Sequence, residues 1–391
     1  MQTNTPPRKL RMALIGGGGQ AFIGRVHATA GTLDNRAELV AGALSSNPDK
    51  ARAAAASFGI AADRAYGSWR ELLDRESELP ADRRVDFVSI ATPNYTHYEI
   101  AREALQAGFH VVCDKPLTTR LEDAESLARV VRETGRVLAL THNYSGYPMV
   151  RHARAMVAAG EIGTVRAVRA SYLQGWLWGW QPDPDAPRGA WKSDPEKSGP
   201  GGSLGDIGTH AYQLIRYVTQ LAPRDLSCQL RTFRDGWTLD DYGQVTLRFT
   251  DNAIGSISFS QATHGHLNDL SIEVDGTTGS LFWRQESPNE LVLRRFNQAT
   301  QMLERAPGAS YMNDAGRFAC RLPGGHPEAF FEAFANVYVA AFDAMLAEGE
   351  AARQNPLAVF PTVDDGVEGV RFIEQCVASH QADGAWRAMN S

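Results

Sequence analysis

Arg11-Met12-Ala13-Leu14-Ile15 runs directly into Gly16-Gly17-Gly18-Gly19-Gln20-Ala21, a short and mainly apolar strand ending in a glycine run. The apolar stretch predicts a buried strand, the glycines a tight turn, and residues 20–32 a helix leaving that turn. Outward from this point the alternation continues. Residues 38–44, 87–91, 109–113 and 137–141 read as strands, and residues 48–58, 69–73, 97–107 and 121–133 as helices. Strands alternating with helices at this spacing imply an α/β fold, a doubly wound parallel sheet of the Rossmann type with helices on both faces. This unit is expected to occupy residues 1–143.

Residues 144–391 read differently. After a helix near 149–159, strands dominate at 165–172, 226–233, 241–249, 253–261 and 270–275, most of them alternating apolar and polar residues. That pattern predicts a mainly antiparallel, open-faced sheet in a C-terminal α+β domain. Residues 175–200 are rich in Gly, Pro and Trp and read as a long loop. Apolar helices near 328–346 and 364–378 close the chain. At 391 residues, two domains are the default. With 43% hydrophobic and 21% charged residues the chain reads as an ordinary globular protein, and a net charge of −6 argues against nucleic acid as a partner. No apolar run is long enough to cross a membrane. The first eleven residues are polar and lack the apolar core of a secretory signal, which gives the expectation of a cytoplasmic protein. Cys113, Cys228, Cys320 and Cys376 are too scattered for a zinc knuckle or a disulfide framework.

Gly16, Gly18 and Ala21 satisfy GxGxxA. A tight turn, close backbone approach and a free helix N-terminus together suit a pyrophosphate, and the place of the motif after the first strand favours dinucleotide binding over a plain glycine turn. The second strand ends at Ser45-Ser46-Asn47-Pro48-Asp49-Lys50, without the Asp or Glu that usually holds the ribose of NAD. Ser45 and Ser46 suit either a ribose or a 2′-phosphate, and Lys50 or Arg52 either pairs with that phosphate or lies on a solvated helix face. Further on, Asp114-Lys115-Pro116 follows an apolar strand, which puts a lysine at the edge of the crevice. Gly205-Asp206-Ile207-Gly208-Thr209-His210 opens an apolar helix, and Asp206 and His210, four apart, are expected on one helical face. A carboxylate beside an imidazole suits acid–base work near neutrality. A capping Asp with a core His is the plainer alternative, and metal binding lacks a third ligand.

The order GxGxxA, Thr92-Pro93-Asn94 with His97, Asp114-Lys115-Pro116 and Gly205-Asp206-Ile207-Gly208-Thr209-His210 resembles the glucose–fructose oxidoreductase / inositol dehydrogenase (Gfo/Idh/MocA) family over almost the whole chain. The resemblance implies NAD or NADP bound to the first domain, Lys115, Asp206 and His210 as the catalytic set, and Thr92, Pro93, Asn94 and His97 along the cofactor. It also implies a homo-oligomer built on the open sheet, here expected to be a tetramer. The glutamate usual before the family lysine is Asp114 here, which shortens its reach; Asp114 and Lys115 are expected at the cofactor as well. The extension Ala21-Phe22-Ile23-Gly24, Thr141-His142-Asn143-Tyr144, Ala190-Trp191-Lys192-Ser193-Asp194-Pro195 and Gly325-His326-Pro327-Glu328 are similar to a branch of scyllo-inositol, L-glucose and levoglucosan dehydrogenases. That branch tips the cofactor towards NAD, with Gln20, Phe22, Ile23 and Asn143 added to its contacts.

Trp176, Trp178, Trp180 and Trp191 crowd one region, where indoles either stack on sugar rings or anchor an interface. Trp191, Lys192, Asn143 and His326 are the expected substrate contacts beside the catalytic set. His326 reads equally as a surface histidine. With no second phosphate cradle, an uncharged cyclic polyol or sugar is the expected substrate, oxidised at a secondary hydroxyl. An anhydrosugar or glucoside dehydrogenase, an NAD-dependent glycosidase and a non-catalytic NAD-binding sensor are the competing readings.

Overall fold

The computed structural model describes residues 8–19, 21–180, 190–347 and 357–389. The chain opens with β1 (Leu10–Gly16), α1 (Phe22–Thr32), β2 (Ala37–Ala43), α2 (Pro48–Ala55), α3 (Trp69–Glu78), β3 (Phe87–Ala91), α4 (His97–Gln106), β4 (His110–Cys113), α5 (Leu121–Thr134) and β5 (Leu138–Leu140). Its five strands pair in parallel in the order β2-β1-β3-β4-β5. Every residue of β3, β4 and β5 is buried, as a sheet covered on both faces requires.

The second part comprises α6 (Pro148–Ala158), β6 (Val165–Leu173), α7 (Pro195–Ser198), a π-helical turn at Leu204–Gly208, α8 (Thr209–Thr219), β7 (Pro223–Arg231), β8 (Tyr242–Phe249), β9 (Ile254–Ser260), β10 (Asp269–Gly276), β11 (Gly279–Arg284), β12 (Glu290–Arg295), β13 (Gln301–Glu304), α9 (Asp314–Phe318), α10 (Phe330–Leu346), α11 (Val363–Gln381) and β14 (Arg387–Ala388). Its strands make one nine-stranded sheet, β13-β12-β11-β10-β6-β9-β8-β7-β14. All its pairs are antiparallel except β6 with β9, which run side by side in parallel. The inner face, including Val168, Ala170, Ile257 and Phe259, packs with Ala211, Leu214 and Ile215 of α8 in one core. The outer face is mostly polar: Ser171, Gln244, Ser256 and Ser258 lie on it, and Arg169 pairs with Glu273 at 3.2 Å and Asp275 at 2.7 Å.

Three expectations need correction. The alternating pattern stops being legible after β10, yet β11, β12 and β13 continue the sheet. A division at residue 143 places α10 and α11 in the second domain, but α10 covers the first sheet and α11 packs against both. Phe334, Tyr338 and Phe342 of α10 share a core with Met12, Leu14 and Phe87, and Val363 and Val370 of α11 join Val111 and Leu127. Tyr338 is pinned there, its hydroxyl 2.7 Å from His27 Nδ1 and 2.8 Å from Ser89 Oγ. Finally, α1 begins at Phe22, not at residue 20, with Ala21 as its N-cap. The close helix approach that GxGxxA assigns to Ala21 is made by Gly24, where an added Cβ would stand 2.1 Å from the Gly17 carbonyl oxygen.

Helix α10 also touches the loop after β5. A Cβ on Gly146 would stand 1.9 Å from the Ala333 carbonyl oxygen, and Asn336 Nδ2 donates to the Gly146 carbonyl at 2.8 Å. Gly146→Ala is therefore expected to lower stability by about 1–3 kcal/mol, the usual cost of overpacking, and a urea titration followed by circular dichroism measures it; an unchanged midpoint removes this contact from the account.

Candidate active site

The C-terminal ends of β1, β3, β4 and β5 open on one crevice. Four features there fit a dinucleotide. Gly18 lies so close to the second strand that a Cβ would stand 2.4 Å from the Leu44 carbonyl oxygen. Gly17 and Gly24 bring turn and helix together as described. Helix α1 has no side-chain cap, so its first amides are free to face an anion. Asn143 Nδ2 is buried without a hydrogen-bond partner, a donor that a bound amide or ribose would satisfy.

The expected cofactor residues spread around this crevice. Thr92, at the end of β3, lies beside Gly16, and its hydroxyl accepts from Thr96 Oγ1 at 2.7 Å. Asn94 Nδ2 donates to the Ser198 carbonyl at 3.1 Å, tying the Pro93–Asn94 loop to the end of α7. Ile23 is half-buried, while the Phe22 ring is exposed and 6.0 Å from that of Phe330. Ser45 Oγ accepts from the Asn47 amide at 3.2 Å; Ser46 and Lys50 are exposed. Arg52 is engaged by Glu71 at 3.3 Å. Gln20 lies outside the described residues.

Two residues expected along the cofactor are engaged by the protein itself. His97 is fully buried with Nδ1 2.8 Å from the Pro116 carbonyl oxygen and Nε2 2.9 Å from that of Thr92, so it braces two crevice loops and has no ring nitrogen left for a ligand. Asp114 Oδ1 accepts from the Lys115 amide and from Thr141 Oγ1, both at 2.9 Å, and so ties the end of β4 to the end of β5. Its shorter reach suits this bracing.

Across the crevice sits Asp206. Lys115 Nζ donates to its Oδ1 at 2.9 Å and also to its backbone carbonyl; Lys192 Nζ donates to Oδ2 at 3.0 Å, and Gln261 Nε2 to Oδ2 at 2.7 Å. Burial by itself would raise the carboxyl pKa, but the charges and hydrogen bonds of the two lysines outweigh it and hold the group well below the usual carboxylate range. The turn carrying Asp206 is anchored by Asp240, which accepts from the Gly202 and Leu204 amides at 2.7 Å each.

The expected Asp206–His210 pairing does not form. Residues 204–208 make a π turn, whose i→i+5 hydrogen bonds widen the coil, so a four-residue step no longer stacks one side chain over the other. His210 instead meets His142, Nδ1 to Nδ1 at 3.3 Å. Tyr144 and Tyr172 enclose it, with ring centroids 4.9 and 6.2 Å away. Burial first, then Lys115 and His142, push its pKa well below the ordinary imidazole value, so His210 is neutral near pH 7.

Trp191 and Lys192 line the pocket above Asp206 with Trp176, Trp237 and Gln261. Trp176 donates its indole N–H to Gln174 at 2.9 Å, and its ring lies 5.6 Å from Lys192 Nζ. Trp178 stacks on His264 and Trp180 meets Trp237 edge-on. His326 is placed elsewhere: its carbonyl is held by Arg305, which is ion-paired with Glu328 at 2.9 Å, and its side chain is at the surface, away from this pocket.

Both halves of this arrangement match known families. Residues 10–142 match the model of the oxidoreductase family with an NAD-binding Rossmann fold, and residues 150–282 match the GFO/IDH/MocA C-terminal domain. The chain belongs to the Gfo/Idh/MocA family. This Gfo/Idh/MocA chain is 31% identical over 97% of its length to an uncharacterized oxidoreductase of Bacillus subtilis, covering 96% of that protein. It is 31% identical to a levoglucosan dehydrogenase of Pseudarthrobacter phenanthrenivorans, over 73% of this chain and 76% of the relative. Among solved structures it superposes on an inositol dehydrogenase homolog of Azotobacter vinelandii, complexed with NADH and myo-inositol, with a TM-score of 0.88, 34% identity and coverage of 97% and 98%. It is an NAD-dependent oxidoreductase of a sugar and polyol dehydrogenase family.

Sequence reasoning gave no role to His142, Gln261, Asp240, Tyr144 or Tyr172. His142 and Tyr144 stood in a quoted motif, but nothing in it points across the fold to His210. Gly24→Ala is expected to weaken NAD binding at least tenfold, about 1.4 kcal/mol, because the helix must retreat from the turn. Calorimetric titration reads this directly; parent-like affinity would sink the assignment of Gly17 and Gly24 to the cofactor cradle.

Proposed function

We propose that this enzyme oxidises a secondary hydroxyl of an uncharged cyclic polyol or pyranose to the ketone, with NAD preferred over NADP. The observation that carries the reading is a buried, neutral His210 in the same site as two ammonium groups on one carboxylate, opposite the NAD crevice. NAD, when bound, supplies the hydride acceptor. The turn glycines and the α1 amides would hold its pyrophosphate, Ser45 and Ser46 its ribose, and Asn143 its nicotinamide end. His210 takes the hydroxyl proton. Lys115 and Lys192 donate to substrate oxygens and steady the negative charge that develops as the proton leaves. Asp206 fixes both lysines. Trp191 and Trp176 present apolar faces to the C–H side of a ring. The levoglucosan dehydrogenase relative makes an anhydrosugar the second substrate to try.

A screen of inositols, aldopyranoses, levoglucosan and an aryl glucoside with both cofactors tests this. Reduction of NAD with a cyclitol or pyranose is the expected outcome. Release of the aryl group in place of a ketone would instead indicate a glycosidase, and cofactor binding without turnover a sensor. His210→Ala is expected to lower kcat by roughly 10²–10⁴-fold, the worth of a positioned acid–base group, with NAD affinity unchanged; a folded variant with near-parent turnover overturns the role. We further propose a homotetramer assembled through the outer face of the nine-stranded sheet. Light scattering at micromolar concentration checks it, and a monomeric mass refutes it.

A further inference from the structure

Among the described residues, His142 is the one side chain hydrogen-bonded to a ring nitrogen of His210, and neither imidazole is bonded to a carboxylate. Both lie in the interior, His142 just before the 3₁₀ turn that follows β5 and His210 in the first turn of α8, so the pair spans the crevice from the first domain to the second. Two facing Nδ1 atoms at 3.3 Å admit one proton between them: one ring must donate and the other accept.

We infer that His142 is a positioning residue for the proton acceptor, holding His210 in the tautomer that keeps its Nε2 lone pair free for the substrate hydroxyl. This rests on the dehydrogenase reading above. In that tautomer His210 Nδ1–H donates to His142 Nδ1, and His142 carries its own proton on Nε2. When the substrate hydroxyl gives its proton to His210 Nε2, its carbon loses hydride, for which bound NAD would be the acceptor, and the C–O bond becomes a carbonyl. His210 then holds both ring protons, and its Nδ1–H still has the same acceptor. The bond to His142 is thus intact before and after the step, and it tightens as His210 becomes charged.

A neutral orienting partner differs from the carboxylate that usually serves a catalytic histidine. It fixes the ring and stabilises the imidazolium only through a charge-assisted hydrogen bond, not with a counter-charge. The groups facing His210 are His142, Lys115, Asp206, Tyr144 and Tyr172. Of these only Asp206 favours the cation, and its charge is shared with Lys115 and Lys192. Burial first and then Lys115 lower the pKa of His142 to about 3, so it remains an acceptor throughout the working range. The result is a weak base, ionised only briefly and ready to return its proton in the reverse direction.

Three variants of the full-length enzyme separate this from a packing role. His142→Leu keeps the volume and removes the acceptor. It is expected to lower kcat by at least tenfold, though by less than the ~10⁴-fold lost when a catalytic histidine loses its carboxylate orienter, with KM and the melting temperature near parent. His142→Asn puts an oxygen acceptor close to the lost Nδ1 and should restore kcat to within a few-fold. His142→Asp puts a carboxylate there. It should raise the His210 pKa, so the acid limb of kcat/KM, where the base becomes protonated, moves to higher pH. Independently of turnover, ¹⁵N spectra of the cofactor-free protein should show His210 protonated at Nδ1 in the parent and in His142→Asn, and a changed tautomer in His142→Leu. A folded His142→Leu enzyme with parent kcat and pH profile, or a parent His210 protonated at Nε2, overturns the proposal. If no cyclitol or sugar is oxidised by the parent, the dehydrogenase reading fails, and the ¹⁵N spectra still decide the tautomer.

Discussion

The Asp206 carboxylate accepts from Lys115 of the first domain on one oxygen and from Lys192 and Gln261 of the second on the other, and the geometry of the site follows from that sharing. A lone carboxylate at this depth would resist ionisation. Two ammonium groups reverse that and leave the cluster with a net positive charge, which is the field an oxygen losing its proton needs. The same cation, Lys115, also disfavours protonation of His210. In the proposed reaction one lysine therefore serves both halves of the chemistry, keeping the base free and receiving the charge that the base uncovers. Asp206 retains 31% side-chain exposure, so solvent screens part of the pair, and its worth to stability falls below the roughly 3–5 kcal/mol lost on breaking a fully buried one. Its main effect is on position.

That position is set from far along the chain. Helix α10 comes after every strand of the second sheet except β14, yet it covers the first, and α11 packs against both. Asn336 and Gly146 lock α10 to the loop that carries His142 and Asn143, and buried Arg151 adds bonds from α6 to the Ser145 carbonyl and to those of Asn336 and Val359. Two of the residues facing the crevice thus depend on contacts with the last quarter of the sequence. The two domains are interleaved, and a cut at the end of β5 would expose the apolar faces of β1 and β3.

Local chemistry was legible and cross-fold geometry was not. The turn after β1, the lysine after β4 and the Asp206–His210 segment could be read because each depends on a few neighbouring residues: glycines that permit close approach, a strand end, a helix start. The pairing inside the site could not. A regular 3.6-residue coil put Asp206 beside His210, but residues Leu204–Gly208 make a π turn, and that turn is held from elsewhere in sequence, by the Asp240 carboxylate on the Gly202 and Leu204 amides. Ala21 was given the tight helix contact because the motif counts residues; the longer loop passes that contact to Gly24. His97 and Asp114 were placed on the cofactor by resemblance, and their hydrogen bonds show them bracing the loops. The outer strands β11 to β13 were missed because hydrophobic alternation weakens towards a sheet edge, where Met302 and Gln301 are both exposed.

The single parallel pairing in the second sheet has a consequence for how the protein acquires activity. An antiparallel neighbour can be reached by a hairpin, but β9 can lie parallel to β6 only after the chain has travelled back across the sheet. That return path holds Lys192, Asp206 and His210 together with β7 and β8. Closing so long a loop is entropically costly before the central strands reward it. The second-domain groups of the proposed site thus ride on a crossover that is fixed only when the middle of the sheet zips shut. Secondary structure can form early and locally in this chain, whereas turnover competence must wait for this long-range pairing.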